Sequence, residues 1–195
     1  MEVMKMAENK VVFGIKKAYY SIITEGPDGT FTYATPVHYP GITALTLEPK
    51  GEATEFFADD ILYYAASSNQ GYDGTATFAT VTESFRKDVL GELEEETDGV
   101  LTEVATAKPK NVAWLFEFDG DIKATRHALY NCSVSRPGAS GSTKTTSTEP
   151  GTTELTFVAA PRPEDSVVKR STTSTTSEAV YNAWYTAVYE PAPAV

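Results

Sequence analysis

The stretch from Trp114 to Pro137 constrains this chain more than any other: W-L-F-E-F-D-G-D-I-K-A-T-R-H-A-L-Y-N-C-S-V-S-R-P. Side chains alternate between the two faces of a strand, so Trp114, Phe116 and Phe118 share one face of a first arm. On a second arm Ala128, Tyr130, Cys132 and Val134 alternate against Leu129, Asn131 and Ser133. Between the arms, Asp119-Gly120 predicts a type I′ turn, because glycine adopts the required positive φ without steric cost. The expectation is a long antiparallel hairpin with one heavy apolar face.

The remaining sequence extends this β character. Its apolar runs are dominated by β-branched and aromatic residues, with Tyr the commonest aromatic at 11 copies. Strands are expected at Val11 to Ile23, Ile42 to Leu47, Thr75 to Val81, Glu154 to Ala160 and Val167 to Arg170. Turns are expected at Pro27-Asp28-Gly29 and across Asn69 to Gly74. Glu48 to Glu55, holding Pro49 and Gly51, reads as a loop, and apolar character resumes from Phe56 to Ala65. An excursion of this kind, between residues 42 and 65, suits an inter-subunit contact or an ordinary hairpin. Thr82 as N-cap, Phe85 and Val89 one turn apart, and Gly91 as terminator predict a short helix over 83–90. Thr175 and Glu178 have capping-box spacing, and the segment after them fits either a second short helix or a strand. The fold class is thus mainly β with one flanking short helix. A length of 195 residues suits one well-buried domain. The division expected is a flexible N-terminal arm over 1–10 and a single domain over 11–195, with flexible loops near 138–151 and 171–177.

The chemistry-bearing residues are sparse. Adjacent strand residues point to opposite faces, so Asp59 and Asp60 would not converge on a substrate, while Asp119 and Asp121 flank a turn. His38 and His127 are the two histidines and lie far apart in sequence. Cys132 is the only cysteine, which rules out an intramolecular disulfide and reads as a small buried residue. Glu92 to Asp98 lacks the spaced ligands and central glycine of a calcium loop and reads as a solvated face. There is no P-loop and no nucleophile elbow, since Gly138-Ala139-Ser140-Gly141 is one residue short of the elbow. Catalytic, cofactor-binding and metal-ligating residues are therefore expected to be none, and the chain is not expected to be an enzyme. A net charge of −11 repels phosphate backbones, which argues against tight nucleic-acid binding yet suits the wall of a pore through which DNA slides. No segment approaches the length of an apolar membrane span, so a soluble protein made in a cytoplasm is expected.

Three segments taken in order resemble the major tail proteins of long, non-contractile-tailed bacteriophages, especially those of Gram-positive hosts. The first is N-K-V-V-F-G-I-K-K-A-Y-Y with T-E-G-P-D-G. The second is F-F-A-D-D-I-L-Y-Y-A-A-S-S-N-Q-G-Y-D-G, followed by F-R-K-D-V-L-G-E. The third is the Trp114 to Pro137 hairpin, with A-A-P-R-P and A-W-Y-T-A-V-Y-E-P after it. The resemblance implies a β-sandwich or barrel-like tail-tube fold and self-association into stacked hexameric rings. It also implies DNA transit through the lumen, and a tape-measure protein, a tail terminator and a distal tail protein as partners. A place in the virion tail follows from it, and the C-terminal immunoglobulin-like domain of some relatives is not expected. The other reading is a β-sandwich module for glycan or cell wall, using Tyr63, Tyr64, Tyr72 and Trp184 as platforms.

Overall fold

The computed structural model of the chain describes residues 8–141, 143 and 150–192. Residues 1–7 of the expected arm, and positions 142 and 144–149 of the expected 138–151 loop, lie outside them. The chain opens with β1 (Val12–Glu25), β2 (Phe31–Tyr33) and β3 (Val37–Tyr39). Then come β4 (Ile42–Lys50), β5 (Ala53–Ala58), β6 (Ile61–Ser67) and β7 (Gly71–Phe78). Helix α1 (Glu83–Asp88) leads into β8 (Leu93–Glu95) and β9 (Val100–Thr102). β10 (Val112–Gly120), β11 (Thr125–Val134), β12 (Thr153–Ala159), β13 (Lys169–Ser171) and α2 (Glu178–Ala183) complete the fold.

The main sheet is antiparallel, ordered β2-β1-β10-β11-β12-β7-β4, with β3 also on β1 and β13 also on β11. β4 curls back beside β1 without ladder hydrogen bonds to it, so the sheet is barrel-like. β4 runs through Pro49 to Lys50, where a loop was expected; it ends the sheet order, and an edge strand tolerates a missing N–H. β7 begins at Gly71, four residues earlier than expected, and Gly74 lies against the Phe157 ring, leaving no room for a side chain. Helix α1 forms as its signals require: Thr82 Oγ1 accepts from the Phe85 N–H (3.3 Å), and Phe85 and Val89 are buried. The C-terminal alternative resolves as a helix, capped by Ser177 instead of Thr175.

The central hairpin is present as β10 and β11, with two differences. Its turn is Asp121 to Ala124, and Gly120 still pairs with Val12 on β1. Asn9 takes over the turn chemistry: its Nδ2 donates to the Lys123 carbonyl (2.6 Å), and its Oδ1 accepts from the N–H groups of Ile122 (3.2 Å) and Lys123 (3.0 Å). Glycine is required at 120 for close approach, because a Cβ there would run into the Asn9 amide. The second difference is a β-bulge in β11: Trp114 pairs with Leu129, yet Val112 pairs with Cys132. The extra residue shifts the phase, so Leu129, Cys132 and Val134 share one core while Ala128 and Tyr130 face another.

β10 is therefore buried on both faces. Val112, Trp114 and Phe116 enter the barrel core with Tyr20, Tyr39, Phe78, Phe85, Leu155 and Phe157. Ala113 and Leu115 enter a second core, closed by Trp184 at the end of α2 and Val188 beyond it. Trp114 is the ring on which the barrel core converges: Tyr39, Phe78 and Phe85 stack around it, and Phe157 tilts against it. Replacing Trp114 by Ala is expected to cost about 3–5 kcal/mol, measured by urea unfolding. Trp114→Phe should cost clearly less, since the indole N–H finds no hydrogen-bond partner among the described residues.

Candidate functional site

The excursion between β4 and β7 forms a separate two-stranded arm. β5 and β6 pair with each other and with no other strand among the described residues. Asp59 and Asp60 form its tip, both with positive φ (52° and 61°), as a type I′ turn demands. This corrects their expected place within a strand and assigns them to turn chemistry. Phe56, Phe57, Ile61, Leu62, Tyr63 and Tyr64 are all exposed, from 49% at Leu62 to 71% at Tyr63. An apolar concentration of that kind on an otherwise well-folded chain marks an interaction surface.

A second uncovered surface is the outer face of β4, β7 and β12. The registers place Ala44, Thr77 and Glu154 in one row, Thr46, Thr75 and Thr156 in the next, and Glu48, Asp73 and Val158 in a third. The face is hydroxyl-rich and acidic. Lys50 is the cation beside it, and Asp73 binds that ammonium at 3.3 Å. Among the described residues the outer edge of β4 has no ladder partner, which makes it a template for strand addition.

The opposite end of the same sheet is closed by the C-terminal segment. Glu117, 3% exposed, accepts from the Tyr185 hydroxyl (3.1 Å) and pairs with Lys17 (3.0 Å) and Arg126 (3.1 Å). A bulge at Lys17 (φ 49°) turns that ammonium towards Glu117. The Arg126 guanidinium lies over the rings of Tyr181 (3.7 Å) and Tyr185 (4.9 Å) and donates to the Tyr181 carbonyl. Further along, Arg162 pairs with Asp165 and Glu190, and the Tyr130 hydroxyl donates to the Tyr189 carbonyl. The sequence reading missed Arg126, Glu117 and Arg162. Asp165 is three positions from Arg162, but the other partners lie from 9 positions away to 100, and local patterning carries no signal for those.

The remaining candidates do not assemble into chemistry. His38 is exposed on β3 against Tyr19, while His127 lies on β11 between Phe116 and Phe118. Asp119 pairs with Lys16, which holds its carboxyl below the usual range, and Asp121 accepts from the Lys10 N–H (2.9 Å). Cys132 is fully buried, and burial pushes its thiol upward. The acidic run is not wholly solvated as expected: Glu92 is buried and held by Arg86 at 2.7 Å. Among the described residues no three His, Cys, Asp or Glu side chains gather as a metal site would require. The glycan platform is also dispersed. Trp184 is buried in the second core, Tyr72 is half-buried beneath the Lys169 ammonium (4.8 Å), and Tyr63 and Tyr64 belong to the arm.

Burial lowers the His127 pKa from 6.5 to about 4. The folded state then resists a proton that the unfolded chain accepts. Stability is fully present above pH 6.5 and declines as pH falls towards 4, by at most about 1.4 kcal/mol per pH unit. Urea titrations should show this slope flattened in His127→Phe, and parallel profiles would contradict it. Arg126→Met leaves Glu117 with the Tyr185 hydroxyl and with Lys17 as its remaining cation, and should cost on the order of 3 kcal/mol. Its expected signature is a red shift of Trp184 emission against an unchanged Trp114, read in single-tryptophan backgrounds.

Comparison with known proteins gives one family. The family described as phage tail tube protein matches residues 1–134. No curated protein matches the sequence. In structure, the fold is similar to the anti-feeding prophage tube-terminating cap seen by cryo-EM, at 13% identity and a TM-score of 0.46. That match covers 89% of this chain and 99% of the other. Residues 1–134 span the arm, the β4 edge and the β10–β11 hairpin, and a match over that length decides the assignment: the chain belongs to the phage tail tube protein family, a structural component of the virion tail and not an enzyme.

Proposed function

We propose that this chain is the major tail subunit, that six copies close into a ring, and that stacked rings form the hollow tube through which phage DNA passes. The observation that carries the reading is the β5–β6 arm, whose large apolar side chains find no cover among the described residues. An arm of this composition is a liability in a monomer and an asset in an assembly. The free edge of β4 supports lateral growth, because a neighbouring strand would satisfy its backbone groups. Head-to-tail contacts between unlike surfaces propagate, so a closed ring and an open stack can coexist in one particle.

The outer face of β4, β7 and β12 is the proposed lumen wall. Carboxylates at Glu48, Asp73 and Glu154 repel a phosphate backbone, and the threonines between them offer it no cation to grip. DNA in contact with this face would slide without adhering. Residues 11–195 are proposed to act as one tail-tube domain, because β12, β13 and α2 complete the sheet and second core that the first 134 residues begin. Synthesis in the host cytoplasm and partnership with a tape-measure protein, a tail terminator and a distal tail protein complete the proposal.

Sedimentation over rising protein concentration, with electron microscopy of the heaviest species, tests it. Six-fold end-on views with a uniform bore are expected. A chain that stays monomeric even with tail-initiator and tape-measure partners would contradict the reading.

A further inference from the structure

The short β8–β9 hairpin has one outward face. Among the described residues its two strands pair only with each other, and every residue from Leu93 to Val100 is exposed. Leu93 pairs with Thr102, and Glu95 pairs with Val100. Residues two apart on a strand share a face with their cross-strand partners, so Leu93, Glu95 and Val100 stand together. Glu94 and Leu101 take the opposite face, where Lys87 of α1 holds Glu94 at 2.8 Å. The outward face is thus a carboxylate beside two aliphatic side chains, Leu93 at 57% and Val100 at 55% exposure. From Leu93 to Thr102 the hairpin carries Glu94, Glu95, Glu96 and Asp98 and no basic residue. Only Glu94 finds a cation among the described residues.

A complementary surface lies at the other end of the sheet, around the β10–β11 turn. Val12 and Ile122 are exposed there. Val12 and Lys123 line one groove of ≈ 340 Å³ with Asn9, Thr125, Thr173 and Ser174, and Glu8 is the carboxylate among its lining residues. The segments that build this end, 8–17 and 117–126, carry Lys10, Lys16, Lys17, Lys123 and Arg126 against Glu8, Glu117, Asp119 and Asp121. On a chain of net charge −11 that is a local exception. Glu117 is paired with Lys17 and Arg126, and Asp119 with Lys16. Lys10 and Lys123 are left without an ion-pair partner among the described residues. The Lys123 ammonium is fixed over the Tyr181 ring at 3.7 Å, at the groove.

The two surfaces cannot meet within one chain. β10 alone runs on the order of 30 Å from the α1 end at Val112 to the turn end at Gly120. Two hairpins laid together would repel, whereas hairpin and groove meet with opposite charge and with apolar side chains on both sides. We propose that the β8–β9 hairpin of one copy docks in the Val12–Lys123 groove of a second copy. Leu93 and Val100 lie on Val12 and Ile122, and the Glu95 carboxylate meets the Lys123 ammonium. This rests on the tail-tube reading and deepens it, naming the joint by which copies follow one another head to tail.

Glu95→Lys and Lys123→Glu, made separately in the full chain, should each raise the concentration needed for assembly with the tail partners by about tenfold or more. The two changes together rebuild the pair with its sign reversed and should return assembly to near the unmodified level. Cys132 is the sole cysteine and fully buried, so Val12→Cys with Val100→Cys in one chain supplies the two reactive thiols. Mild oxidation should join assembled particles of this variant into covalent ladders of many copies and leave dilute monomer unjoined. Either single charge variant assembling as the unmodified chain does, or a double variant no better than the singles, would overturn the joint. Assembled particles that give no ladder, or that cross-link position 12 to a different tail protein, would overturn it while leaving the tube reading intact. If the unmodified chain fails to assemble with its tail partners, the tube reading itself fails and the proposal falls with it.

Discussion

Burial of β10 on both faces is the constraint on which the rest of the structure depends. From Val112 to Glu117 every residue is buried, and the side chains go alternately to two cores. A strand in this position needs a layer on each side. The curled sheet with α1 supplies one, and the C-terminal segment with α2 supplies the other. Glu117 is the polar exception, and its cost of burial is offset by Lys17, Arg126 and Tyr185 converging on it. The same convergence holds α2 in place, because a six-residue helix has little stability of its own.

With the barrel so well satisfied, the arm stands out as the part that is not. The barrel core is closed by stacked rings around Trp114, whereas the arm carries rings left exposed among the described residues. The registers place the arm, the β10–β11 turn and the start of β1 at one end of the sheet, and α1 at the other. Exposed Val11, Val12, Phe13 and Ile122 gather at the arm's end. A subunit built this way is polar in the geometrical sense, with unlike ends, and unlike ends suit head-to-tail addition.

Much of this was legible in the residues. The alternation of Trp114, Phe116 and Phe118 placed one face of β10 correctly, and Thr82 with Phe85 and Val89 placed α1. The second face of β10 was also written there, since Ala113 and Leu115 make the run nearly continuously apolar, the mark of a strand buried on both sides. Three features were not legible, each for a physical reason. The turn moved to Asp121–Ala124 because Asn9, more than a hundred positions away, supplies the bonds that hold it. The β11 bulge moved Cys132 and Val134 to the core of Leu129, and a bulge has no side-chain signature at that site. The C-terminal segment satisfied both helix and strand patterns, and only the cradle of Arg126 and Glu117 decides between them.

The central claim is that a stable barrel presents an arm whose burial waits for other copies of the chain. Hydrogen exchange resolved along the sequence tests it most directly, because backbone protection reports local opening. In the monomer, amides of β5 and β6 should exchange far faster than those of β10 and β11, and in assembled particles the two sets should become comparably slow. Arm amides that are already protected in the monomer, or that remain fast after assembly, would contradict the account.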